Sequence, residues 1–319
     1  MTFLPREGFT VDFVAKLAQT TVLNPIITIP LAVSSFGLLM SSSTGSDWSQ
    51  SLEAARSYTY SLAVLSALLY ATDFLNRQFN NNWTTDPAWD WDNEIVVITG
   101  GSSGIGAHLA QKLHARNPKT KVVIIDYYYQ CDLSDSSQIR AICEKIRTEV
   151  GHPTVLVNNA GICRGVTVCD GSYADVEVTI RTNLIAPFLL VKEFNPDMAR
   201  RNHGHIVNIS SMSAYLPPVK VADYAATKAG LIALHEVSLR ILTYSTMSLQ
   251  VSQYQALQLD FTRTPLFKGK TNQSNFLFPL LDVESVSEAI AKTLWSGYGK
   301  TMFMPGIMRY IAILVSCLF

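Results

Sequence analysis

The chain has 319 residues and balances 25 Lys and Arg against 25 Asp and Glu, for a formal net charge of zero. That balance supplies no basic surface for nucleic acid. The composition, 48% hydrophobic and 16% charged, is more apolar than that of an ordinary soluble chain and points to membrane contact. The length suits one α/β domain with extra segments. Five cysteines (Cys131, Cys143, Cys163, Cys169, Cys317) form no CxxC pair, which suits reduced thiols facing the cytosol.

Residues 18–46 carry no charge, and their apolar centre, Val22 to Met40, has about the length that a bilayer core requires. Pro25 and Pro30 interrupt it, so a regular helix from end to end is not expected. A second uncharged run, Ser57 to Thr72, lies between Arg56 and Asp73 and is slightly short for a span. Amphipathic helices packed on the following domain are one reading; a membrane anchor is favoured, because no enzyme motif here needs such a core. A cleaved signal peptide is disfavoured, since the apolar run starts late and lacks a compact basic lead. Two spans would form a hairpin. Arg6, Lys16 and Arg77 against Arg56 would then put the following domain on the cytoplasmic side. Asn82-Trp83-Thr84 is a glycosylation sequon that would be used only on a lumenal side. Residues 76–93 read as a polar linker with interfacial aromatics (Trp83, Trp89, Trp91). Residues 1–92 are thus taken as anchor region and linker.

Ile95 to Ile98 is an apolar run ending in Thr99, followed by Gly100-x-x-x-Gly104-x-Gly106 and a helical pattern at Ile105, Leu109 and Leu113. Strand, glycine turn and helix N-terminus in this order let a pyrophosphate approach bare backbone. The helix should run to about Arg116, stopped by Asn117-Pro118. Val122 to Ile125 reads as the second strand and ends in Asp126. An acid there would bond ribose hydroxyls and repel a 2′-phosphate, favouring NAD over NADP; an ordinary strand-end Asp is the other reading. Tyr127 to Cys131 is again strand-like and leads into Asp132-Leu133-Ser134, leaving no room for the crossover that parallel neighbours need. Either the two runs are one continuous strand with its exit loop, or a connecting segment is missing. Ser134 reads as the N-cap of a helix with Ile139, Ile142, Ile146 and Val150 on one face, closed by Gly151. Thr154 to Val157 is a buried strand leading to Asn158-Asn159-Ala160-Gly161. A mostly helical section from Tyr173 to Arg201 contains Asn183. His205 to Ile209 is the next strand, ending in Ser210-Ser211, and a loop leads to Tyr224-Ala-Ala-Thr-Lys228. Tyr224 and Lys228, four apart, share one helix face. His203 and His205 lack a third ligand at metal-binding spacing, so no metal is expected.

TGGSSGIG (99–106), NNAG (158–161), Asn183, Ser211 and Tyr224-x-x-x-Lys228 together resemble the classical short-chain dehydrogenase/reductase family. The resemblance covers residues 93–305, including the spacing of thirteen from Ser211 to Tyr224. ICRG (162–165), KEFNPDMARRNHGHIV (192–207) and FTRTPLF (261–267) resemble the membrane-associated members acting on retinol, steroids and other lipophilic alcohols, fungal relatives included. The resemblance implies a doubly wound, Rossmann-like parallel sheet. It implies a nicotinamide cofactor held by Gly100, Ser102, Ser103, Gly104, Ile105, Gly106, Asp126, Asp132, Leu133, Asn159, Ala160, Gly161, Tyr224, Lys228, Thr262 and Thr264. It further implies a catalytic tetrad of Asn183, Ser211, Tyr224 and Lys228. Tyr224 would be the base, its pKa lowered by the ammonium of Lys228. Ser211 would bind the substrate oxygen, Lys228 the nicotinamide ribose, and Asn183 a relay water. A homodimer and an endoplasmic-reticulum or lipid-droplet surface are also implied.

Leu249 to Leu257 should be the sixth strand. Asp260 stands where such proteins carry a glycine against the nicotinamide, before Thr262 and Thr264, which would bond the carboxamide. Residues 266–281 read as an apolar substrate lid, Val283 to Trp295 as a helix and Thr301 to Met304 as a last strand. The uncharged tail from Tyr310, within residues 306–319, is too short to span and would lie at the interface or under the lid. The expected function is NAD-dependent hydride transfer on a lipophilic alcohol or carbonyl. The alternative is a catalytically impaired relative that keeps the fold as a binding or scaffold protein, suggested by the missing crossover and by Asp260.

Overall fold

The computed structural model describes residues 4–41, 48–81, 83, 89–126, 129–244, 252–266 and 274–318. The chain divides into two compact units, Met1–Phe79 and Asn80–Phe319. The first contains α1 (Val11–Thr20), α2 (Pro25–Ser41) and α3 (Trp48–Asn80). Thr10 caps α1 by accepting from the Phe13 N–H. The break expected from the prolines falls at residues 21–24, where Pro25 opens α2 and the axis bends by 49°. Pro30, expected to interrupt as well, is carried inside α2. Among the described residues, no single helix is long and apolar enough to cross a membrane. The polar linker expected from residue 76 begins later, because α3 runs to Asn80.

The second unit is a parallel sheet between helices. Its elements are β1 (Ile95–Thr99), α4 (Gly104–Arg116), β2 (Lys121–Asp126), β3 (Tyr129–Gln130), α5 (Ser136–Glu149), β4 (Val155–Asn158), α6 (Tyr173–Ile180), α7 (Ala186–Arg201), β5 (Gly204–Ser211), α8 (Ala222–Tyr244), β6 (Ser252–Leu259), α9 (Val283–Ser296), β7 (Lys300–Met304) and α10 (Met308–Leu318). Among the described residues, the seven strands stand in the order β3-β2-β1-β4-β5-β6-β7, every pairing parallel. β1 is buried at every position, as a strand covered on both faces must be, and so it reads as a continuous apolar run. Val96 and Ile98 pack on one face with Leu109 and Leu113 of α4 and Ile290 and Leu294 of α9. Ile95 and Val97 pack on the other with Ile139 and Ile146 of α5 and Leu190 and Phe194 of α7. This is the doubly wound architecture, and it places the β-strand carboxyl ends, where ligands bind in such sheets, along one edge.

The segment without a crossover does form a separate strand. Ile125 pairs with Tyr129 and Asp126 with Gln130. A full parallel strand needs a long return path, but a two-rung ladder only has to step back one residue and sideways by the ~4.8 Å strand spacing. Two intervening residues, 127 and 128, which lie outside the described residues, suffice for that distance. The helix that follows is capped by Asp135, not Ser134: the Asp135 carboxylate accepts from the backbone of Ser137 and Gln138. Ser134 is one residue too early, and its N–H and hydroxyl both donate to Asp132 Oδ1.

Trp89 and Trp91, expected at a membrane interface, instead pack against the core beside α9. Trp91 stacks on Trp295 at 4.7 Å, and Trp89 lies 4.4 Å from the His203 ring. His203 in turn meets the buried Glu94 carboxylate at 3.0 Å. These contacts fasten the entry to β1 onto the amino-terminal side of β5. The sequon positions Asn82 and Thr84 lie outside the described residues, as do residues 267–273 of the expected lid. The tail forms α10, whose Met308 and Ala312 pack with Met212, Tyr215 and Phe278.

Candidate active site

Gly100 and Gly104 adopt positive φ, +64° and +54°, which turns the chain out of β1 and into α4. A Cβ on Gly100 would lie 2.9 Å from the Ala160 Cα, and one on Gly106 would lie 2.6 Å from the Gly100 oxygen. The glycines therefore let two strand ends and a helix start close on one another. Asn159 locks this turn: its Nδ2 donates to the oxygens of Thr99 and Gly100 at 2.9 and 3.1 Å. Thr99 Oγ1 accepts from the N–H groups of Asn159 and Ala160, both at 3.0 Å. α4 then begins at Ser103 with no side-chain cap. An uncapped helix start over a close-packed glycine turn fits a pyrophosphate, whose charge takes the place of a cap. Ser102 and Ser103 stand in that turn, and Ile105 packs on the core below it. Thr264 approaches from the far side of the sheet, its Cγ2 3.5 Å from where a Gly104 Cβ would stand. Thr262 is buried and donates to the Asp260 oxygen at 3.2 Å.

At the end of β2 the exposed Asp126 accepts from the Ser102 N–H at 3.3 Å, so its carboxylate borders the turn. Asp132 is directed elsewhere. Its carboxylate is taken by Ser134, and Leu133 packs into the apolar cluster of α5 and α7.

The catalytic candidates converge from different elements. The chain between α6 and α7 winds as a π turn, Arg181–Ile185, and carries Asn183 at full burial; such turns recur at functional sites. Asn183 clamps Ile162: Nδ2 donates to the Ile162 oxygen and Oδ1 accepts from the Ile162 N–H, both at 2.8 Å. Nδ2 also donates to Thr227 Oγ1 at 3.4 Å. A Cβ on Gly161 would lie 3.6 Å from both Asn183 Oδ1 and Lys228 Nζ, so the bare glycine forms the floor between them. Lys228, 3% exposed, donates to the Ile209 oxygen at 2.7 Å. Its ammonium lies 5.4 Å from the Tyr224 ring centroid. Ser211 ends β5, donates to the Leu259 oxygen at 3.2 Å and shares a side-chain hydrogen bond with Tyr224.

The lowered tyrosine pKa expected from the ammonium is not what the protein's own groups produce. Burial pushes Tyr224 up to about 12, against a smaller lowering by the Ser211 bond. Burial likewise pushes Lys228 down to about 8. Desolvation outweighs an ammonium that faces the ring and not the hydroxyl. At neutral pH Tyr224 is a phenol and Lys228 a cation. Asp260, at the end of β6, is pushed up by burial.

Thr99, Ile162 and Thr227 were missed as site-builders. Thr99 and Thr227 sit inside the motifs, between the residues that drew attention, and polar positions there were the available signal. Ile162 contributes only backbone, which sequence does not display.

A family model described as short chain dehydrogenase matches residues 124–245. Dehydrogenase RED2 of Cochliobolus heterostrophus is 36% identical over 186 residues, covering 54% of this chain and 68% of that protein. This chain belongs to the short-chain dehydrogenase family. Epidermal retinol dehydrogenase 2 of Mus musculus is 27% identical over 276 residues, 81% of this chain and 85% of that protein. A solved structure of 4-hydroxyisoleucine dehydrogenase complexed with NADH shares the fold, with TM-score 0.56 at 24% identity over 66% of this chain and 97% of that one. As a short-chain dehydrogenase the protein is an oxidoreductase that moves hydride at alcohol carbons. The motifs of this dehydrogenase sit at the carboxyl ends of β1, β4, β5 and β6, the edge at which its sheet opens.

Proposed function

We propose that the protein interconverts a lipophilic alcohol, of retinoid, steroid or long-chain type, and its carbonyl, with NAD as the preferred cofactor. The observation that carries the chemistry is the convergence of Ser211, Tyr224 and Lys228 over the Gly161 floor. A bound nicotinamide supplies the hydride acceptor, or the donor in reverse. Tyr224 takes the alcohol proton at its phenolic oxygen as the carbon gives up hydride, and returns it in the other direction. Ser211 holds the substrate oxygen through its hydroxyl. Lys228, charged at neutral pH, stabilises the phenolate that proton transfer leaves and stands ready for the ribose hydroxyls. Asn183 acts as a positioning residue: it fixes Ile162 and so the floor on which the reacting groups meet.

Two features support a lipophilic substrate. The loop after Ser211 exposes Leu216 and Val219, and the segment before Leu281 exposes Phe276 and Leu277. α10 adds Ile313 and Leu314 beside the same apolar cluster. The mouse relative named for retinol agrees with this in kind. Asp126 at the end of β2 supports NAD, since its charge repels a 2′-phosphate. The test is oxidation of retinol, a steroid alcohol and a long-chain alcohol, with NAD+ or NADP+, against small polar alcohols. Turnover confined to the polar alcohols sinks the substrate reading; a preference for NADP+ sinks the role given to Asp126.

A further inference from the structure

Helices α2 and α3 bury their polar side chains and expose their apolar ones. They lie antiparallel, and two hydroxyl pairs join them: Thr28 to Ser66 at 2.6 Å and Ser35 to Thr59 at 3.3 Å. Between these rungs the buried residues are Ala32 and Ala63. Seven residues separate the two rungs on each helix, which is two turns, so each helix gives one small-residue stripe to the seam. The opposite surfaces are apolar and open: Ile26 is 81%, Val33 65%, Val64 59% and Leu68 60% exposed. At about 100° per residue, Ile29 to Leu31 of α2 bound an exposed arc of roughly 200° that includes Ile26 and Val33. A water-soluble helix pair has the reverse arrangement, with apolar residues between the helices.

The seam is also complete in hydrogen bonds. Thr28, Ser35, Thr59 and Ser66 each donate to a carbonyl of their own helix, at 3.1, 2.7, 2.9 and 2.9 Å. Close approach through small residues, hydroxyls bonded within and across helices, and no stranded donor are what helix packing in hydrocarbon requires. The two rungs set a register in which the charge-free stretch of α3, Ser57 to Thr72, lies beside charge-free α2, with Arg56 beyond one end and Asp73 beyond the other. Sixteen residues at 1.5 Å each give about 24 Å, a little under a ~30 Å hydrocarbon core, a mismatch that local thinning absorbs. A protein partner would cover one face. Apolar surface spread around both helices, bounded by charge at both ends, fits acyl chains.

We propose that α2 and α3 form a lipid-embedded helical hairpin, closed by a seam of hydroxyls and alanines, which holds the enzyme to a bilayer with both outer ends on one side. The proposal stands independently of the cofactor and substrate readings. The test uses the full chain, synthesised with phosphatidylcholine vesicles, and reads co-flotation after an alkaline carbonate wash. The companion variant is Val33→Ser/Leu65→Ser/Leu68→Ser, which changes the exterior and leaves the seam alone. The wild type should float and resist the wash. The variant should lose at least tenfold of the floated protein while unfolding in detergent at the wild-type temperature. A wild type that stays with the soluble fraction, or a variant that floats equally well, overturns the proposal. So does a wild-type dimer without lipid that the variant converts to monomer, since a second copy would then be the cover.

Discussion

On the nicotinamide side of the groove, Asn183 and Lys228 are buried, and each is pinned by hydrogen bonds to backbone of a different element. On the adenine side, Asp126 and Asp132 are exposed, and the strand beside them is two residues long. The first region is over-determined, since the clamp on Ile162, the Gly161 floor and the Ser211 bond to Leu259 each restrict the others. The second rests on one carboxylate and an edge ladder of two rungs. The comparison teaches where this chain invests its structure: chemistry is fixed tightly, while recognition of the far end of the cofactor is left to few contacts. Substitutions should therefore have steeply unequal effects on the two sides.

The largest effect is expected from Tyr224→Phe. Removal of the proton carrier should lower turnover by on the order of 10²–10⁴-fold, with cofactor affinity unchanged; steady-state kinetics beside a nucleotide titration reads both. Turnover at the wild-type rate would remove Tyr224 from the mechanism. Gly106→Val comes next. Its Cβ would stand 2.6 Å from the Gly100 oxygen and 2.7 Å from Asn159 Nδ2, so the turn must open. Cofactor affinity should fall more than tenfold, and the unfolding temperature should drop with it.

A third test uses pH. Lys228 is held at about 8 in the folded protein against a model value of 10.5. Between those values the unfolded chain binds the extra proton, so stability rises with pH across that window. The penalty of burying the cation is complete below pH 8 and gone above 10.5. Lys228→Met should thus gain stability relative to wild type near neutrality, and the gap should shrink as pH climbs through the window. A gap that ignores pH would show that burial does not govern this lysine. The smallest effect is expected from Leu133→Ala on the adenine side. Leu133 packs towards α5, so the substitution should cost about 1–3 kcal/mol of stability and change NADH affinity by less than about threefold. A larger loss would mean that the adenine side is better built than its exposure indicates.

The parts of this account legible in the sequence are those that local pattern encodes. The glycine turn, the Tyr224-Lys228 helix face and the alternating strands and helices follow from spacing and residue type. Contacts between distant segments were not legible. The Asn183 clamp depends on a π turn that no periodicity announces. The third strand was hidden because the crossover rule describes full strands, and two rungs escape it. Trp89 and Trp91 looked interfacial beside an apolar segment, yet His203 and Trp295, over a hundred residues away, draw them into the core. The direction of the Tyr224 shift was missed for the same reason: burial is a property of the assembled sheet, and here it exceeds the effect of the neighbouring charge.

The most direct test of the central claim is a titration of the full chain in detergent with NADH and with NADPH, read by calorimetry, on wild type and on Asp126→Ser. The account predicts saturable NADH binding at least tenfold tighter than NADPH binding, with the difference reduced in the variant. A folded wild-type protein that binds neither nucleotide would contradict it.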